Sequence, residues 1–377
     1  MIKQCLQRKN ILFIHSSSEL YGSDRSLLYL IKNLDKKRYK ISVLLPCDGP
    51  LVAELKKQND VDVFIYDVAV LRRKNLSIKG FFKYCVYFIR SLIYIKKIIR
   101  QNRVDVVYTN VAVVFPGAVA AKFSKHCKSV WHIREIIKSK SERFLVSTIV
   151  NLFSDLIIAN SRATGDAISH NSKKLRIVYN AVEIKNYPVV HENKTKIVVG
   201  MAGRINRWKG QKLFVDMAEI VHKSNSDVKF LIAGSAYNGE EYLEQDLKKY
   251  IEKKGLSRVI TLLGQLDDMD SFYRSLDIFV LPSVQPEPFG LVVIEAMEMC
   301  LPVIATNHGG PVEIIRDGDD GFLVPYDTPN VMAQRCLQLS ENWELRSRIG
   351  KNAQIKKRSM FSLKTTVNNI DTILNNI

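Results

Sequence analysis

DIFVLPS (Asp277–Ser283) and PEPFGLVVIEAM (Pro286–Met297) stand almost next to each other in the second half of the chain. The first is a short apolar run typical of a buried strand, and the second predicts a tight turn followed by a helix that begins near Gly290. Glu287 would then lie in the loop at the helix N-terminus, and Glu295 about a turn and a half inside the helix. Free backbone N–H groups and the positive end of the helix dipole point into such a loop. A polar, anionic or sugar-like ligand could use all of these groups together.

The same alternation of apolar runs and helical patterns extends along the whole chain. Because parallel strands need crossover helices, this rhythm predicts an α/β protein with doubly wound parallel sheets. The segments predicted as strands are Asn10–Ser16, Lys40–Pro46, Val61–Tyr66, Asp105–Asn110, Ser129–Ile133, Asp155–Asn160, Leu175–Asn180, Ile197–Ala202, Lys229–Gly234, Val259–Gly264, Asp277–Pro282, Pro302–Thr306 and Gly321–Val324.

The length of 377 residues favours two domains, each large enough for its own core. The polar, proline-containing segment Ile184–Lys196 is predicted as the linker between them. The predicted domains are residues 1–185 and 191–360, followed by a C-terminal helix over residues 361–377.

Cysteine usage and hydropathy predict a cytoplasmic protein. The six cysteines form no CxxC pair and most stand in apolar surroundings, so we expect buried free thiols in a reducing compartment. The N-terminus is polar, and no apolar stretch reaches about 18 residues without a charge or a proline. Neither a signal peptide nor a spanning helix is therefore expected.

The charge is unevenly distributed, which indicates an anionic partner for the first half. Residues 1–190 hold 33 Lys and Arg against 14 Asp and Glu, whereas residues 191–377 hold 23 against 24. The segment 71–103 is the most basic part, with ten cations, no acid and many interleaved aromatic and aliphatic residues. A basic amphipathic helix of this type suits an anionic membrane surface, and the alternative is a core helix with a solvated basic face. Nucleic acid is not expected, because no nucleic-acid-binding motif accompanies the charge.

Four further segments carry candidate ligand groups at the ends of predicted strands. Gly22 follows the first strand, where a glycine permits close approach of a ligand or simply forms a turn. His132 ends another strand and is either a ligand contact or a structural histidine. The loop from Gly203 to Gly210 carries Arg204, Arg207 and Lys209 before a helix, as a diphosphate cradle or a solvated turn would. The two glycines of Thr306–Glu313 either allow close approach of the backbone or belong to a simple Gly-Pro turn.

These motifs, in this order, resemble those of retaining glycosyltransferases of family 4 (glycosyltransferase group 1) over nearly the full length. Glu287 and Glu295 match the E-x7-E motif, and Gly203-Arg204 with Lys209-Gly210 match the G-R-x4-K-G loop. Further matches are YGSDRSLL, HIRE, YNAVE and GGPVE. Ala181 and Glu183 depart from the family's Y-N-G-V-D, in a turn where the change puts little in doubt.

The resemblance implies a GT-B fold, in which two Rossmann-like domains face a cleft and the chain crosses back to the first domain near Phe361-Ser362. It also implies that a nucleotide-diphosphate sugar binds the second domain. Glu295 would accept hydrogen bonds from the ribose, Arg204 and Lys209 would clamp the diphosphate, Gly22 would lie beside the phosphates, and Glu287 and His132 would contact the sugar. The implied catalytic residues are His132, Glu287, Arg204 and Lys209, and the implied donor-binding residues are Gly22, Gly203, Arg204, Lys209, Glu287, Phe289, Gly290, Leu291 and Glu295.

No cofactor or catalytic metal is expected, because fixed cations and amide dipoles would stabilise the leaving diphosphate instead. Asp268-Met269-Asp270 and Asp317-Gly318-Asp319 match a D-x-D metal pattern but are interpreted as surface acids. Since no carboxylate is obviously placed as a nucleophile, retention by same-face internal substitution fits better than a covalent intermediate.

The function predicted from the sequence is transfer of a sugar to a lipid-linked glycan in surface polysaccharide assembly, at the cytoplasmic face of the membrane. The alternatives are a GT-B-fold sugar-nucleotide epimerase, a non-catalytic donor-binding subunit and a soluble transferase acting on a small acceptor. Neither the base, the sugar, the acceptor nor the oligomeric state can be inferred from these residues.

Overall fold

The structure is a computed structural model that describes residues 8–71, 77–137, 139–168, 173–183, 196–237 and 239–377. The chain divides into two compact units. Unit 1 comprises residues 1–180 and 363–377, and unit 2 comprises residues 181–362. Most of the predicted linker, residues 184–195, lies outside the described residues.

Unit 1 is built on a parallel sheet of seven strands with the order β3-β2-β1-β4-β5-β6-β7. Its strands are β1 (Lys9–Ile14), β2 (Tyr39–Leu45), β3 (Val61–Ile65), β4 (Val106–Thr109), β5 (Lys128–Ile133), β6 (Leu156–Ala159) and β7 (Leu175–Ile177). Unit 2 has a parallel sheet of six strands with the order β10-β9-β8-β11-β12-β13. Its strands are β8 (Val198–Ala202), β9 (Lys229–Ala233), β10 (Ile260–Gly264), β11 (Ile278–Leu281), β12 (Val303–Thr306) and β13 (Phe322–Val324).

Helices connect the strands of each sheet. In the first part of the chain these are α1 (Gly22–Asn33), α2 (Pro50–Lys56), α3 (Ile78–Gln101), α4 (Pro116–Lys122), α5 (Lys140–Phe153) and α6 (Arg162–Asp166). Unit 2 contains α7 (Gln211–Ser224), α8 (Tyr242–Lys253), α9 (Met269–Ser275), α10 (Leu291–Glu298), α11 (Pro311–Ile314), α12 (Pro329–Glu341) and α13 (Trp343–Met360), and α14 (Leu363–Asn375) returns to unit 1.

The predicted fold class is confirmed, and each predicted strand overlaps an observed one. The buried runs of β1, β2 and β4 carry apolar side chains on both faces, as a sheet covered by helices on both sides requires. One core cluster of unit 1 includes Phe13 of β1, Leu27 of α1 and the side chains of Ile370 and Leu374 from α14. The C-terminal helix is therefore part of the core of unit 1.

The two ends of unit 2 lie side by side. Val182 and Ser362 form an isolated parallel bridge, and the ammonium of Lys357 donates to the Val182 and Glu183 carbonyls at 3.2 Å. Lys357 is fully buried and also pairs with Glu298 at 2.7 Å. A buried charge requires such a partner, so this contact network fixes both chain ends of the unit.

Two expectations change in detail. Gly22 is the first residue of α1, rather than part of the loop before it, and Tyr21 is the N-cap. The five described cysteines are free, but only Cys127 and Cys336 are buried, and Cys47 is exposed. Within the described ranges, no helix combines the length and the apolar character that a membrane crossing requires.

Candidate active site

The strand order of unit 2 changes direction between β8 and β11, and this is where open parallel sheets bind ligands. The loop from Gly203 to Gly210 follows β8, and the segment containing Ser283 and Glu287 follows β11. Gly210 caps α7 in a left-handed conformation with φ of +77°, and a Cβ there would lie 1.8 Å from the Pro282 carbonyl oxygen. Only glycine therefore lets these two loops meet.

Lys209 and Glu287 form the centre of this part of the site. The Lys209 ammonium donates to Oε1 of Glu287 at 2.5 Å, and the Ser283 hydroxyl donates to the same oxygen at 2.7 Å. Glu287 is only 4% exposed. The sequence predicted both charged residues as ligand groups, but not that they pair with each other. A bound phosphate would therefore share Lys209 with a carboxylate that is already fixed in place.

The Gly-Gly-Pro segment supports the Glu287 loop from behind. The N–H of Gly310 donates to the Glu287 carbonyl at 2.8 Å. A Cβ on Gly309 would lie 2.3 Å from that carbonyl oxygen, and one on Gly310 would lie 2.3 Å from the carbonyl of Phe289. The two glycines thus permit close packing of backbone on backbone.

Helix α10 starts at Leu291 with Gly290 as its N-cap, as predicted. The N–H groups of the first turn belong to the set that a helix leaves without intrahelical partners, and they are suited to binding oxygen atoms. Glu295 lies inside α10 and accepts a hydrogen bond from the hydroxyl of Tyr273 at 2.7 Å. Tyr273 is buried within α9 and was not recognised in the sequence, because nothing local connects it to Glu295.

Arg204 lies in the same loop as Lys209 but has a different neighbour. Its guanidinium stacks over the ring of Tyr237, with Cζ 3.3 Å from the ring centroid. Gln211 donates to the Arg204 carbonyl at 2.9 Å and so ties the start of the loop to α7. The two cations that are predicted to bind the diphosphate thus have different neighbours. Lys209 pairs with a carboxylate, and Arg204 stacks on an aromatic ring.

In unit 1, His132 is the last but one residue of β5 and is buried. Its Nδ1 lies 2.6 Å from the Tyr108 hydroxyl and 3.3 Å from a terminal nitrogen of Arg134. The other ring nitrogen, Nε2, is buried and has no hydrogen-bond partner among the described residues. Burial holds the pKa of His132 well below its ordinary value, and the charge of Arg134 lowers it further.

Arg134 joins polar residues from three strand ends of the same sheet. Its Nε donates to the Asn110 side chain at 2.9 Å, and another nitrogen donates to the Asn180 side chain at 2.5 Å. Asn110 lies 3.2 Å from Nδ1 of His15, whose Nε2 lies 2.6 Å from the carboxylate of Asp24. The sequence pointed to polar groups at strand ends, but not to this continuous network.

The network reaches the start of α1, where Gly22 lies. Asp24 accepts a hydrogen bond from the Tyr21 backbone N–H at 2.9 Å, which closes the first turn of the helix. Gly22 itself is exposed. The YGSDRSLL segment at the start of α1 is therefore anchored to the buried polar network through Asp24.

The acidic D-x-D segments have structural roles. Asp268 is the N-cap of α9, and it accepts from the Ser271 backbone N–H at 3.0 Å. Asp317 is exposed and accepts from the Leu323 backbone N–H, whereas Asp319 pairs with Arg316 at 3.2 Å. In the described part of the chain, no group of three or more His, Cys, Asp or Glu side chains is arranged to hold a metal ion.

Comparison with known proteins identifies the family. The model of glycosyl transferases group 1 matches residues 183–356, and the model of glycosyltransferase family 4 matches residues 21–186. A glycosyltransferase of Methanocaldococcus jannaschii, MJ1178, itself uncharacterised, is 30% identical over 271 residues, which cover 69% of this chain and 72% of the relative. The chain belongs to the group 1 glycosyltransferases. The E-x7-E motif and the motifs that accompany it predicted that this glycosyltransferase belongs to group 1, and that prediction is confirmed.

One further relative and one solved structure are informative. The capsular polysaccharide biosynthesis glycosyltransferase CapM of Staphylococcus aureus is 27% identical over 203 residues, 54% of this chain and 51% of its own length. The crystal structure of HepE from Anabaena in complex with UDP and glucose matches 98% of this chain and 100% of its own, with a TM-score of 0.82 and 24% identity. That likeness establishes the GT-B fold of this glycosyltransferase.

Proposed function

We propose that this glycosyltransferase moves a sugar from a nucleotide-diphosphate donor to a lipid-linked glycan acceptor and retains the anomeric configuration. The observation that carries the proposal is the arrangement after β8 and β11, where Lys209, Glu287 and the N-terminus of α10 converge. This arrangement offers a cation, a fixed carboxylate and backbone N–H donors together. Such a set suits a ligand that has both phosphate oxygens and sugar hydroxyls.

Each group has a defined task in the proposed reaction. Breaking the bond between the anomeric carbon and the phosphate leaves negative charge on the diphosphate, and Lys209 and Arg204 stabilise it. Glu287, with the N–H groups of Phe289, Gly290 and Leu291, holds hydroxyls of the donor sugar. Glu295 accepts from the ribose hydroxyls, in an orientation that the hydroxyl of Tyr273 fixes.

The retaining course is proposed as a same-face substitution, in which the acceptor oxygen attacks as the diphosphate leaves. Glu287 is the buried carboxylate of this part of the site, but it is engaged with Lys209 and Ser283. A carboxylate paired in this way is a weak nucleophile. We further propose that His132 contacts the donor sugar.

The acceptor class is proposed from the surface of unit 1. The outward face of α3 carries Phe82, Val86, Ile89 and Ile93, of which Phe82 is 69% exposed. Exposed cations accompany this strip, namely Lys79, Lys83, Arg90, Lys96, Lys97 and Arg100. Arg72, Arg73 and Lys74 lie outside the described residues. Helix α5 packs in the same cluster as the inner face of α3 and exposes Phe144, Leu145 and Leu152.

Apolar side chains with a basic rim suit the surface of an anionic membrane, where a lipid-linked acceptor resides. The similarity to CapM, a capsular polysaccharide biosynthesis enzyme, supports a role in surface polysaccharide assembly. We therefore propose a peripheral location at the cytoplasmic face of the membrane, which vesicle flotation tests.

The donor site is tested by thermal unfolding with UDP, GDP, ADP and dTDP. A ligand at about 100 times its dissociation constant stabilises the folded chain by about 2.7 kcal/mol, which is a clear shift. One nucleotide is expected to raise the Tm of the wild type but not that of Glu295→Ala or Arg204→Ala. UDP is the first candidate, because HepE binds it.

Matched controls are available on the surface of unit 2. Glu252 and Arg258 are exposed, so Glu252→Ala and Arg258→Ala are expected to keep the nucleotide response. If none of the four nucleotides stabilises the wild type, the proposed donor site is wrong. A response that persists in both site variants would place the nucleotide elsewhere.

A further inference from the structure

Arg134 is a buried cation whose side-chain partners are all uncharged. It is 7% exposed, and its guanidinium donates to the amide oxygens of Asn110 and Asn180 and to the ring of His132. The neighbouring carboxylate of Glu135 accepts instead from the backbone N–H groups of Ala112 and Arg134. Burial of an arginine in this manner is costly, so the arrangement calls for a purpose beyond packing.

The contact with His132 determines which ring nitrogen carries the proton. A guanidinium has only donors, so Nδ1 of His132 must accept the hydrogen bond from Arg134. The Tyr108 hydroxyl then donates to the same nitrogen. In a neutral imidazole with an accepting Nδ1, the proton lies on Nε2. That Nε2–H is the buried atom without a partner among the described residues.

A buried donor that lacks a partner points to a ligand. A single hydrogen-bond donor must be held in a fixed orientation to bind a ligand. Arg134 can hold the His132 ring in this way, because its three contacts fix the guanidinium between the ends of β4, β5 and β7. We propose that Arg134 is a positioning residue, which holds His132 as the Nε2–H tautomer so that the ring donates a hydrogen bond to a hydroxyl of the donor sugar. This inference rests on the proposed function, since it takes the ligand of His132 to be that sugar.

The charges around His132 agree with this assignment. Burial is the main reason that the pKa of His132 is low, and the positive charge of Arg134 is the second. Burial raises the pKa of the Tyr108 hydroxyl, so this group keeps its proton and remains a donor. The carboxylates that act on Arg134 are those of Glu135 and Asp24. His132 is therefore a neutral donor at the pH at which an ordinary histidine takes up a proton.

Nitrogen NMR of the histidine rings tests the tautomer directly in the whole protein. His132→Gln removes one ring from the spectrum and so identifies the signals of His132. We expect the Nε2–H tautomer and no protonation step between pH 8 and the ordinary histidine pKa of about 6.5. An Nδ1–H tautomer, or a protonation step within this range, overturns the proposal without reference to any activity.

Turnover tests the positioning role. Release of nucleoside diphosphate is followed with UDP-, GDP-, ADP- and dTDP-glucose. Arg134→Met keeps the length of the side chain but removes the donors, and a fall in kcat of about ten- to a hundredfold is expected, with the KM for the donor changed less than about threefold. Arg134→Lys keeps the positive charge but lacks the planar, forked set of guanidinium donors, so it is expected to recover only part of the lost kcat.

The control and the second variant make the result decisive. Arg176 is exposed and donates to the backbone carbonyls of Lys173 and Leu175, so Arg176→Met is expected to behave as wild type. A folded Arg134→Met with wild-type kcat, or with an unchanged His132 spectrum, overturns the proposal. If Arg134→Met does not fold, Arg134→Lys and the wild-type spectrum decide. Wild-type turnover in His132→Gln would instead contradict the sugar contact in the proposed function, while the NMR result would still decide the tautomer.

Discussion

His132 lies in surroundings that change how its charge responds to pH, and this makes it visible in the stability of the fold. Its pKa in the folded state is well below the ordinary value of about 6.5, because the ring is buried and next to Arg134. Below about pH 6.5 the unfolded chain takes up a proton that the folded chain does not bind. The free energy of unfolding therefore decreases as the pH falls, by up to about 1.4 kcal/mol per pH unit from this residue.

Urea unfolding of the wild type and of His132→Gln between pH 8 and pH 5 measures this contribution. The variant is expected to lose less stability than the wild type as the pH falls below about 6.5. His126 is exposed, so His126→Gln serves as the control and is expected to follow the wild type. If the free energy of unfolding depends on pH in the same way in the wild type and in His132→Gln, folding does not lower the pKa of His132, and the prediction is wrong.

At the scale of single residues, the sequence predicted which side chains belong to the site better than it predicted their hydrogen-bond and ion-pair partners. Glu287, Glu295 and Lys209 could be found because a motif spaces them along the chain. The Lys209–Glu287 pair joins residues that are 78 positions apart, and the Tyr273–Glu295 bond joins two different helices. Such partners depend on how strands are ordered in the sheet, which local pattern does not contain.

Helices α3 and α5 together form the surface that we expect to contact lipid. The wild type is expected to float with vesicles that contain anionic lipid and to remain unbound with neutral vesicles, because each basic residue near the surface contributes about 1 kcal/mol. Reversal of three exposed cations of α3, in Lys96→Glu, Lys97→Glu and Arg100→Glu, removes at least about 3 kcal/mol and should lower the affinity more than a hundredfold.

A triple reversal on α8 is the matched control, since Lys248, Lys249 and Lys253 are equally exposed on a helix of unit 2. This variant should float like the wild type. Equal flotation of the two triple variants would show that α3 is not the binding surface. The exposed apolar residues of α5, such as Phe144, were not predicted as part of this surface, because periodicity alone does not tell which face of a helix is covered.

The architecture of the whole molecule was easier to predict from the sequence than its residue contacts or its surfaces. Apolar runs separated by helical patterns predicted two parallel sheets, and the sheets of seven and six strands confirm them. The change in strand order between β8 and β11 brings the loops of Gly203 and Glu287 to one place, although the two residues are 84 positions apart. Local patterns indicate where strands occur, but the order of the strands depends on long-range packing.

The chain leaves unit 1 after Asn180 and returns to it at Leu363, so α14 should stabilise unit 1 alone. Ile370 and Leu374 are fully buried in its core, and the hydroxyl of Tyr39 in β2 donates to the carboxylate of Asp371 at 2.7 Å. Removal of residues 363–377 exposes the apolar surface that these two side chains cover. At about 1.5–3 kcal/mol for each side chain, the loss is a large part of the stability of one unit.

Hydrogen exchange followed by mass spectrometry can locate this loss. In a chain that ends at Ser362, peptides from β1 and β2 should exchange faster, since they lie under α14 in the same core cluster. Peptides from β8 and β11 should keep their protection, because the core of unit 2 is formed by residues of unit 2. Tyr39→Phe, which removes the hydrogen bonds of this hydroxyl to the side chains of Asp371 and Asn375 but leaves the apolar contacts of α14, should give a smaller effect of about 1 kcal/mol in the same peptides. Unchanged protection of β1 and β2 in the shortened chain would mean that α14 contributes little to unit 1, and equal losses in both units would mean that the two fold as one.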